Sequence, residues 1–258
     1  MKKSKRDINV DSVMKKFSNT YVAHRGLFNN EKGVPENSLT AFLLAVKNGY
    51  GIELDVQLTK DGKLVVFHDD DLNRMCGKNI KVKNLTFKEI RKIKLNNSDE
   101  KIPLLSEVLE LVNGRSPLLI EIKGRNRRIE TAKKTAEELR NYKGIYCIES
   151  FSPSIVGWYR KKQSNVARGQ LIPGLNKKHM LCSWASQLVL PFVLAFGYPK
   201  PDFLAYNHKM TDVISYRMCR LFYTGYNAAW TIKNENQLKK AKKSFDIFIF
   251  DSFIPDNK

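Results

Sequence analysis

Short apolar runs alternate along the chain with longer stretches of helical periodicity. The first run is Tyr21-Val22-Ala23-His24. From Gly51 to Leu58 the alternation is strict, with Ile52, Leu54 and Val56 on one face and Glu53 and Asp55 on the other. That period of two marks a strand. Asp61-Gly62 then reads as a hairpin turn leading into Lys63 to His68. Between the first two runs, Leu39, Phe42, Leu43 and Val46 form a helical stripe, with Asn37 or Ser38 as its cap and Gly49 as its stop. Further helices are expected near Thr86 to Lys94, Leu105 to Val112 and Arg127 to Leu139.

The remaining strand candidates are Leu118 to Lys123, Ile145 to Ser150, Arg168 to Leu171, Phe203 to Tyr206, Asn227 to Thr231 and Ile247 to Phe250. Together with the first two, and with the hairpin arm taken as an extension of the second, they number eight. Eight strands separated by helices within about 250 residues predict a single-domain α/β fold, the (β/α)8 TIM barrel, with a short insertion after the second strand. A doubly wound open sheet is the alternative, but no G-x-G-x-x-G follows the first strand. The expected division is a basic segment over 1–19 and the barrel over 20–258.

Composition narrows the classes. The chain has 258 residues, 42% of them hydrophobic, which excludes disorder for its bulk. Lys and Arg total 45 against 26 Asp and Glu, a formal net charge of +19. The basic residues are spread along the chain without a finger, basic-zipper or R-G-G pattern, so a solvated basic surface is expected and no nucleic-acid partner. The four cysteines form no C-x-x-C pair and suit free thiols in a reducing compartment. The basic start, Met1-Lys2-Lys3-Ser4-Lys5-Arg6, is followed by no apolar core, so it is not read as a signal peptide and a cytoplasmic location is expected.

One stretch, Met180 to Tyr198, carries no charge. Pro191 interrupts its dense apolar part, so it is not read as a membrane span. Its ordinary reading is a buried helix. The alternative is an apolar lip that, with the basic surface, gives peripheral contact with an anionic membrane.

Barrel enzymes carry their chemistry at the C-terminal ends of the strands. Here those ends bear His24-Arg25, Glu53 and Asp55, His68-Asp69, and Glu121 with Lys123. Glu53 and Asp55 share a strand face, where two like charges repel unless one is protonated or a cation lies between them. Glu121 would be a third hard oxygen ligand, a set that favours Mg²⁺ or Ca²⁺. His24 and His68 suit a general acid and base at neutral pH. With Arg25 and Lys123 as cations, the set fits metal-assisted attack on a phosphodiester. Glu36 either belongs to a helix start or fixes Arg25 or a histidine as a supporting partner. Asp61 reads as a turn residue.

The motifs His24-Arg25-Gly26, Pro35-Glu36-Asn37-Ser38, Ala41-Phe42, Glu53-Leu54-Asp55-Val56, Thr59 to Gly62, Val65 to Asp69 and Glu121-Ile122-Lys123 resemble, in order and spacing, those of the glycerophosphodiester phosphodiesterase family. The strong match covers 20–123. It implies a TIM barrel hydrolysing a glycerophosphodiester, a small-molecule substrate, to glycerol 3-phosphate and an alcohol. His24 and His68 would be the acid/base pair, and Glu53, Asp55 and Glu121 would hold one divalent cation, Mg²⁺ or Ca²⁺. Arg25 and Lys123 would contact the phosphate, and Trp230 would line the pocket. Two late positions depart from the family pattern: Phe250-Asp251-Ser252-Phe253 where T-D-x-P is usual, and Lys233 where Asn is usual. The alternatives are a lysophospholipase D-like activity on a membrane lipid and, outside enzymes, a basic membrane- or nucleic-acid-binding protein on the same barrel.

Overall fold

The computed structural model describes residues 5–124, 127–172, 197–212 and 214–256. The backbone falls into two compact units, Val22–Tyr146 and Met1–Tyr21 with Cys147–Lys258. Within 1–19, expected as a basic segment, α1 spans Lys5–Ser18. Val10, Met14 and Phe17, four and three residues apart, make a stripe that is fully or nearly fully buried.

In the first unit, β1 (Val22–Ala23) leads through a loop to α2 (Leu39–Lys47). Ser38 caps that helix, its hydroxyl accepting from Ala41 N at 3.2 Å. The next strand, β2 (Gly51–Leu58), lies parallel to β1 and continues into a hairpin with β3 (Leu64–Val66). A small insertion follows, built from β4 (Asp71–Leu72), α3 (Asn73–Cys76), β5 (Lys78–Lys81) and α4 (Phe87–Ile90). Though polar on average, it has an apolar cluster of its own. Leu72, Met75, Val82 and Ile90 pack with Val65 and Phe67 of the hairpin arm. The helix expected over 86–94 is only one turn long, and Lys94 beyond it pairs in an isolated antiparallel bridge with Lys101.

After α5 (Leu105–Val112), strand β6 (Leu118–Ile122) pairs in parallel with β2. That register sets Asp55 directly opposite Glu121. The unit closes with α6 (Arg128–Glu138). In the second unit, β7 (Tyr146–Ser150), α7 (Pro153–Lys162), β8 (Arg168–Leu171), β9 (Phe203–Asn207), α8 (Ile214–Phe222), β10 (Tyr226–Ile232), α9 (Glu235–Ala241) and β11 (Ile247–Phe250) follow, each strand parallel to the next.

Three parallel strands in one unit and five in the other make the eight of a (β/α)8 barrel, the expected fold. The barrel strands are almost wholly buried, as strands covered on both faces must be. The apolar-lip reading of Met180 to Tyr198 rests on residues 180–196, which lie outside the described residues. His179 and Cys182 lie outside them as well.

Candidate active site

Every candidate site residue except Trp230 lies in the first unit, on β2 and β6, just beyond β1, β3 and β6, or, for Glu36, in the loop that enters α2. The turn after β1 is tight. Arg25 adopts φ +57° and Gly26 φ +81°. A Cβ on Gly26 would come within 2.9 Å of the Ala41 backbone, so this turn requires glycine. The tightness aims the Arg25 amide at Glu53, with a 2.9 Å bond to Oε2. His24 Nε2 lies 3.9 Å from the same oxygen.

Period-two geometry and the β2–β6 register then bring three carboxylates together. One oxygen from each of Glu53, Asp55 and Glu121 lies within 4.8 Å of the others, and all three residues are buried. Two residues beyond Glu121, Lys123 Nζ lies 2.7 Å from Asp55 Oδ1 and 2.8 Å from Glu121 Oε1. Asp55 Oδ2 is 3.4 Å from Arg25 Nε and accepts a 2.8 Å bond from Asn37 Nδ2.

These contacts pull the carboxyls apart in acidity. Burial is the largest influence on Asp55 and opposes ionisation. Lys123 and Arg25 outweigh it, and Asp55 lies well below the usual carboxylate range. At Glu121, burial, helped by the charge of Asp55, outweighs Lys123 and raises the pKa. Burial disfavours the Lys123 ammonium, but Asp55 and Glu121 together hold its pKa above the ordinary value.

A divalent cation fits this donor set. The ligands would be hard anionic oxygens. Asp55 Oδ1 is buried without a hydrogen bond of good geometry, despite the nearby Lys123 ammonium.

His68 sits two residues beyond β3. Its Nδ1 is 2.7 Å from Asp69 Oδ1. Burial lowers its pKa, aided by Lys123 and Arg25 and opposed by Asp55 and Asp69. Gln57, next after Asp55 on the same face of β2, donates from Nε2 to the carbonyls of Phe67 at 2.7 Å and Asp69 at 2.8 Å. This clamps both sides of the histidine. Glu36 pairs with Arg25 at 2.7 Å and with both terminal nitrogens of Arg74. Arg74 also donates to Asp69 Oδ2 at 2.7 Å.

Asn37, expected as a possible helix cap, does not cap α2. Ser38 does, which leaves the Asn37 side chain to hold Asp55. Asn37 adopts φ +56°, a conformation asparagine tolerates better than most residues. Asp61 lies in the turn as expected and also ties it to the insertion, accepting from Thr59 Oγ1 and from Phe87 N. Sequence reasoning assigned nothing to Gln57 or Arg74. Gln57 was open to detection, since it continues the Glu53-Asp55 face. Arg74 was not, because its partners Glu36 and Asp69 come from two separate loops.

Trp230 lies in the second unit, on β10, edge-to-face with Phe151 at 5.9 Å. The two family departures meet in that unit, where Lys233 Nζ lies 3.7 Å from Asp251 Oδ1.

Against known proteins, residues 24–244 match the model of the glycerophosphoryl diester phosphodiesterase family. A glycerophosphodiester phosphodiesterase of Bacillus altitudinis is 46% identical over 111 residues, 40% of this chain and 44% of that protein. The match thus spans less than half of that relative's length. Among solved structures, a phosphodiesterase of Oleispira antarctica, in complex with the product sn-glycerol-3-phosphate, superposes with a TM-score of 0.74. It is 23% identical over 93% of this chain and 95% of that one. A glycerophosphodiester phosphodiesterase of Thermotoga maritima gives a TM-score of 0.70 at 27% identity, over 90% and 94%. The chain belongs to the glycerophosphoryl diester phosphodiesterase family.

Proposed function

We propose that this protein hydrolyses glycerophosphodiesters to glycerol 3-phosphate and an alcohol, using a divalent cation, Mg²⁺ or Ca²⁺, held by Glu53, Asp55 and Glu121. The observation that carries this reading is the convergence of three buried carboxylates with His24, His68, Arg25 and Lys123 in one unit. The reactions named for the family relatives, and the product bound in the Oleispira structure, support the same substrate class.

When bound, the cation would polarise a phosphoryl oxygen and offset charge developing on the phosphorus centre. The chain's own residues do the rest. Arg25 and Lys123 attract the non-bridging oxygens. Lys123, whose ammonium carries three donors, is held at the cluster by its ion pairs with Asp55 and Glu121, where it can also meet a non-bridging oxygen. Asp69 accepts the Nδ1 proton of His68, which fixes the tautomer and turns Nε2 toward proton transfer.

One histidine takes the proton of the attacking hydroxyl, from water or from the glycerol moiety, as the new P–O bond forms. The other gives a proton to the departing alkoxide as the old P–O bond breaks. If the glycerol hydroxyl attacks, water then opens the cyclic phosphate by the reverse use of the same pair.

The free thiols of Cys76, Cys147 and Cys219 suit a reducing, cytoplasmic setting. Among the described residues no helix is long and apolar enough to cross a membrane. The excess of basic residues favours peripheral contact with anionic lipid.

The test is glycerol 3-phosphate release by the purified chain from glycerophosphocholine and glycerophosphoethanolamine, and lysophosphatidic acid release from a lysophospholipid. Release from the first two supports the reading. Release from the lysophospholipid alone shifts it to a lysophospholipase D-like activity, and release from none refutes it.

A further inference from the structure

The insertion after β3 sends one side chain back to the site. Arg74, on the single turn α3, spreads its guanidinium over two carboxylates at once. Nε donates to Asp69 Oδ2 at 2.7 Å. Nη1 and Nη2 donate to Glu36 Oε2 and Oε1 at 2.9 and 2.7 Å. The far oxygen of Asp69 holds His68 Nδ1 at 2.7 Å, and Glu36 Oε1 also holds Arg25 Nη1 at 2.7 Å. Arg25, Glu36, Arg74, Asp69 and His68 thus form one unbroken chain of charge-assisted contacts. It runs from a phosphate-binding cation to an acid/base histidine.

We propose that Arg74 is a positioning residue for the phosphodiesterase reaction, one that sets the rotamers of Arg25 and His68 together through Glu36 and Asp69. This rests on the function proposed above. Arg74 itself touches no reacting atom.

Three features support it. The first is shape. A planar guanidinium presents Nε and two terminal nitrogens in a fixed fork, and all three are used; an ammonium has no such fork. The second is anchorage. The residues flanking Arg74 are held by packing, because Leu72 and Met75 are buried in the cluster that includes Val65 and Phe67 of the hairpin arm. The insertion is therefore tied to the strand that carries His68, and Arg74 reports its position to the site. The third is electrostatic. Glu36 and Asp69 are both held below the usual carboxylate range. Burial opposes this in each, and Arg74 is the leading contributor that outweighs it. Both carboxylates therefore stay ionised acceptors at neutral pH. Asp69 needs that state to keep the proton on Nδ1 of His68.

Arg91 offers a matched control. It makes an equally well-formed double pair with Glu107, at 2.7 and 2.7 Å, between α4 and α5 and away from the site. Loss of Arg91 removes a comparable structural tie without touching His68 or Arg25.

The experiment compares wild type, Arg74→Ala, Arg74→Lys and Arg91→Ala by steady-state hydrolysis of glycerophosphocholine, with melting temperatures measured alongside. Displacing catalytic groups by about 1 Å costs on the order of 10²-fold in rate. Arg74→Ala is expected to lose about that much in kcat while KM moves less than about threefold, the mark of interactions expressed in the transition state. Arg74→Lys is expected to recover part of the rate. Arg91→Ala is expected to retain kcat. If Arg74→Ala does not fold, Arg74→Lys carries the test, with kcat reduced at an unchanged melting temperature.

A second readout does not need turnover. In ¹⁵N spectra of the neutral His68 ring, wild type is expected to carry its proton on Nδ1, and the Arg74 variant a mixture of both tautomers. Wild-type kcat in a folded Arg74 variant, a loss no larger than that of Arg91→Ala, or an unchanged tautomer in Arg74→Ala would overturn the proposal. If wild type has no activity at all, the functional reading fails, and the tautomer measurement alone decides whether Arg74 orients His68.

Discussion

Replacing Asp55 by Asn takes one negative charge out of a buried cluster and leaves its cations behind. The Asp55 residue is 1% exposed. Its oxygens lie 2.7 Å from Lys123 Nζ, 3.4 Å from Arg25 Nε and 2.8 Å from Asn37 Nδ2. In Asp55→Asn, Lys123 keeps only Glu121, whose pKa is already raised, and Arg25 keeps Glu36. Breaking a buried ion pair from one side costs about 3–5 kcal/mol, because the surviving charge has lost its compensation. At about 2–4 °C per kcal/mol for a protein of this size, the melting temperature should fall by about 6–20 °C.

The assay is thermal unfolding in EDTA, so that no cation contributes. Asp99→Asn serves as control. That aspartate is almost fully exposed and pairs with Lys94 at the surface, so its loss should leave the midpoint in place. Adding Mg²⁺ or Ca²⁺ should then raise the midpoint of wild type but not of Asp55→Asn, since a ligand stabilises only the state that binds it. A mutant melting within about 2 °C of wild type in EDTA would refute the view that Asp55 balances Lys123 and Arg25.

Three further outcomes are expected. Gly26→Ala must adopt φ +81° and drive a methyl group to 2.9 Å from the Ala41 backbone. The strain of about 1–3 kcal/mol and an overpacking cost of similar size should show together in chemical denaturation. His68→Ala should lower kcat by about 10²- to 10⁴-fold while far-UV circular dichroism stays unchanged. Glu36 and Asp69 titrate below their usual values when folded, so the unfolded chain binds more protons as pH falls through about 4. Their stabilisation is full above that pH and is lost as pH falls through their folded values. Arg74→Ala should flatten this acid slope in melting temperatures recorded from about pH 6 to pH 3.

Much of the site was legible because one strand carries so much of it. In β2 the alternation alone puts Glu53 and Asp55 on a common face, and a parallel neighbour sets Glu121 beside them. The barrel followed from counting runs, since strands buried on both faces read as short apolar blocks. Local ambiguity hid other features. Asn37 and Ser38 are both good helix caps, and only the backbone decides that Ser38 takes the cap while Asn37 turns to Asp55. The stripe of Val10, Met14 and Phe17 was masked by the lysines around it. Arg74 sits in a polar run, Asp69 to Arg74, that resembles any solvated turn. Its role depends on how the 30–38 loop and the His68 arm meet, and no spacing encodes that.

The most direct test of the central claim is paired glycerol 3-phosphate release from glycerophosphocholine by wild type and Glu121→Gln. Each is stripped with EDTA and then resupplied with Mg²⁺ or Ca²⁺. The account predicts that stripped wild type is inactive, that a divalent cation restores release, and that Glu121→Gln stays inactive or needs far more cation. Full activity of the stripped wild type, or equal restoration of the mutant at the same cation concentration, would contradict it.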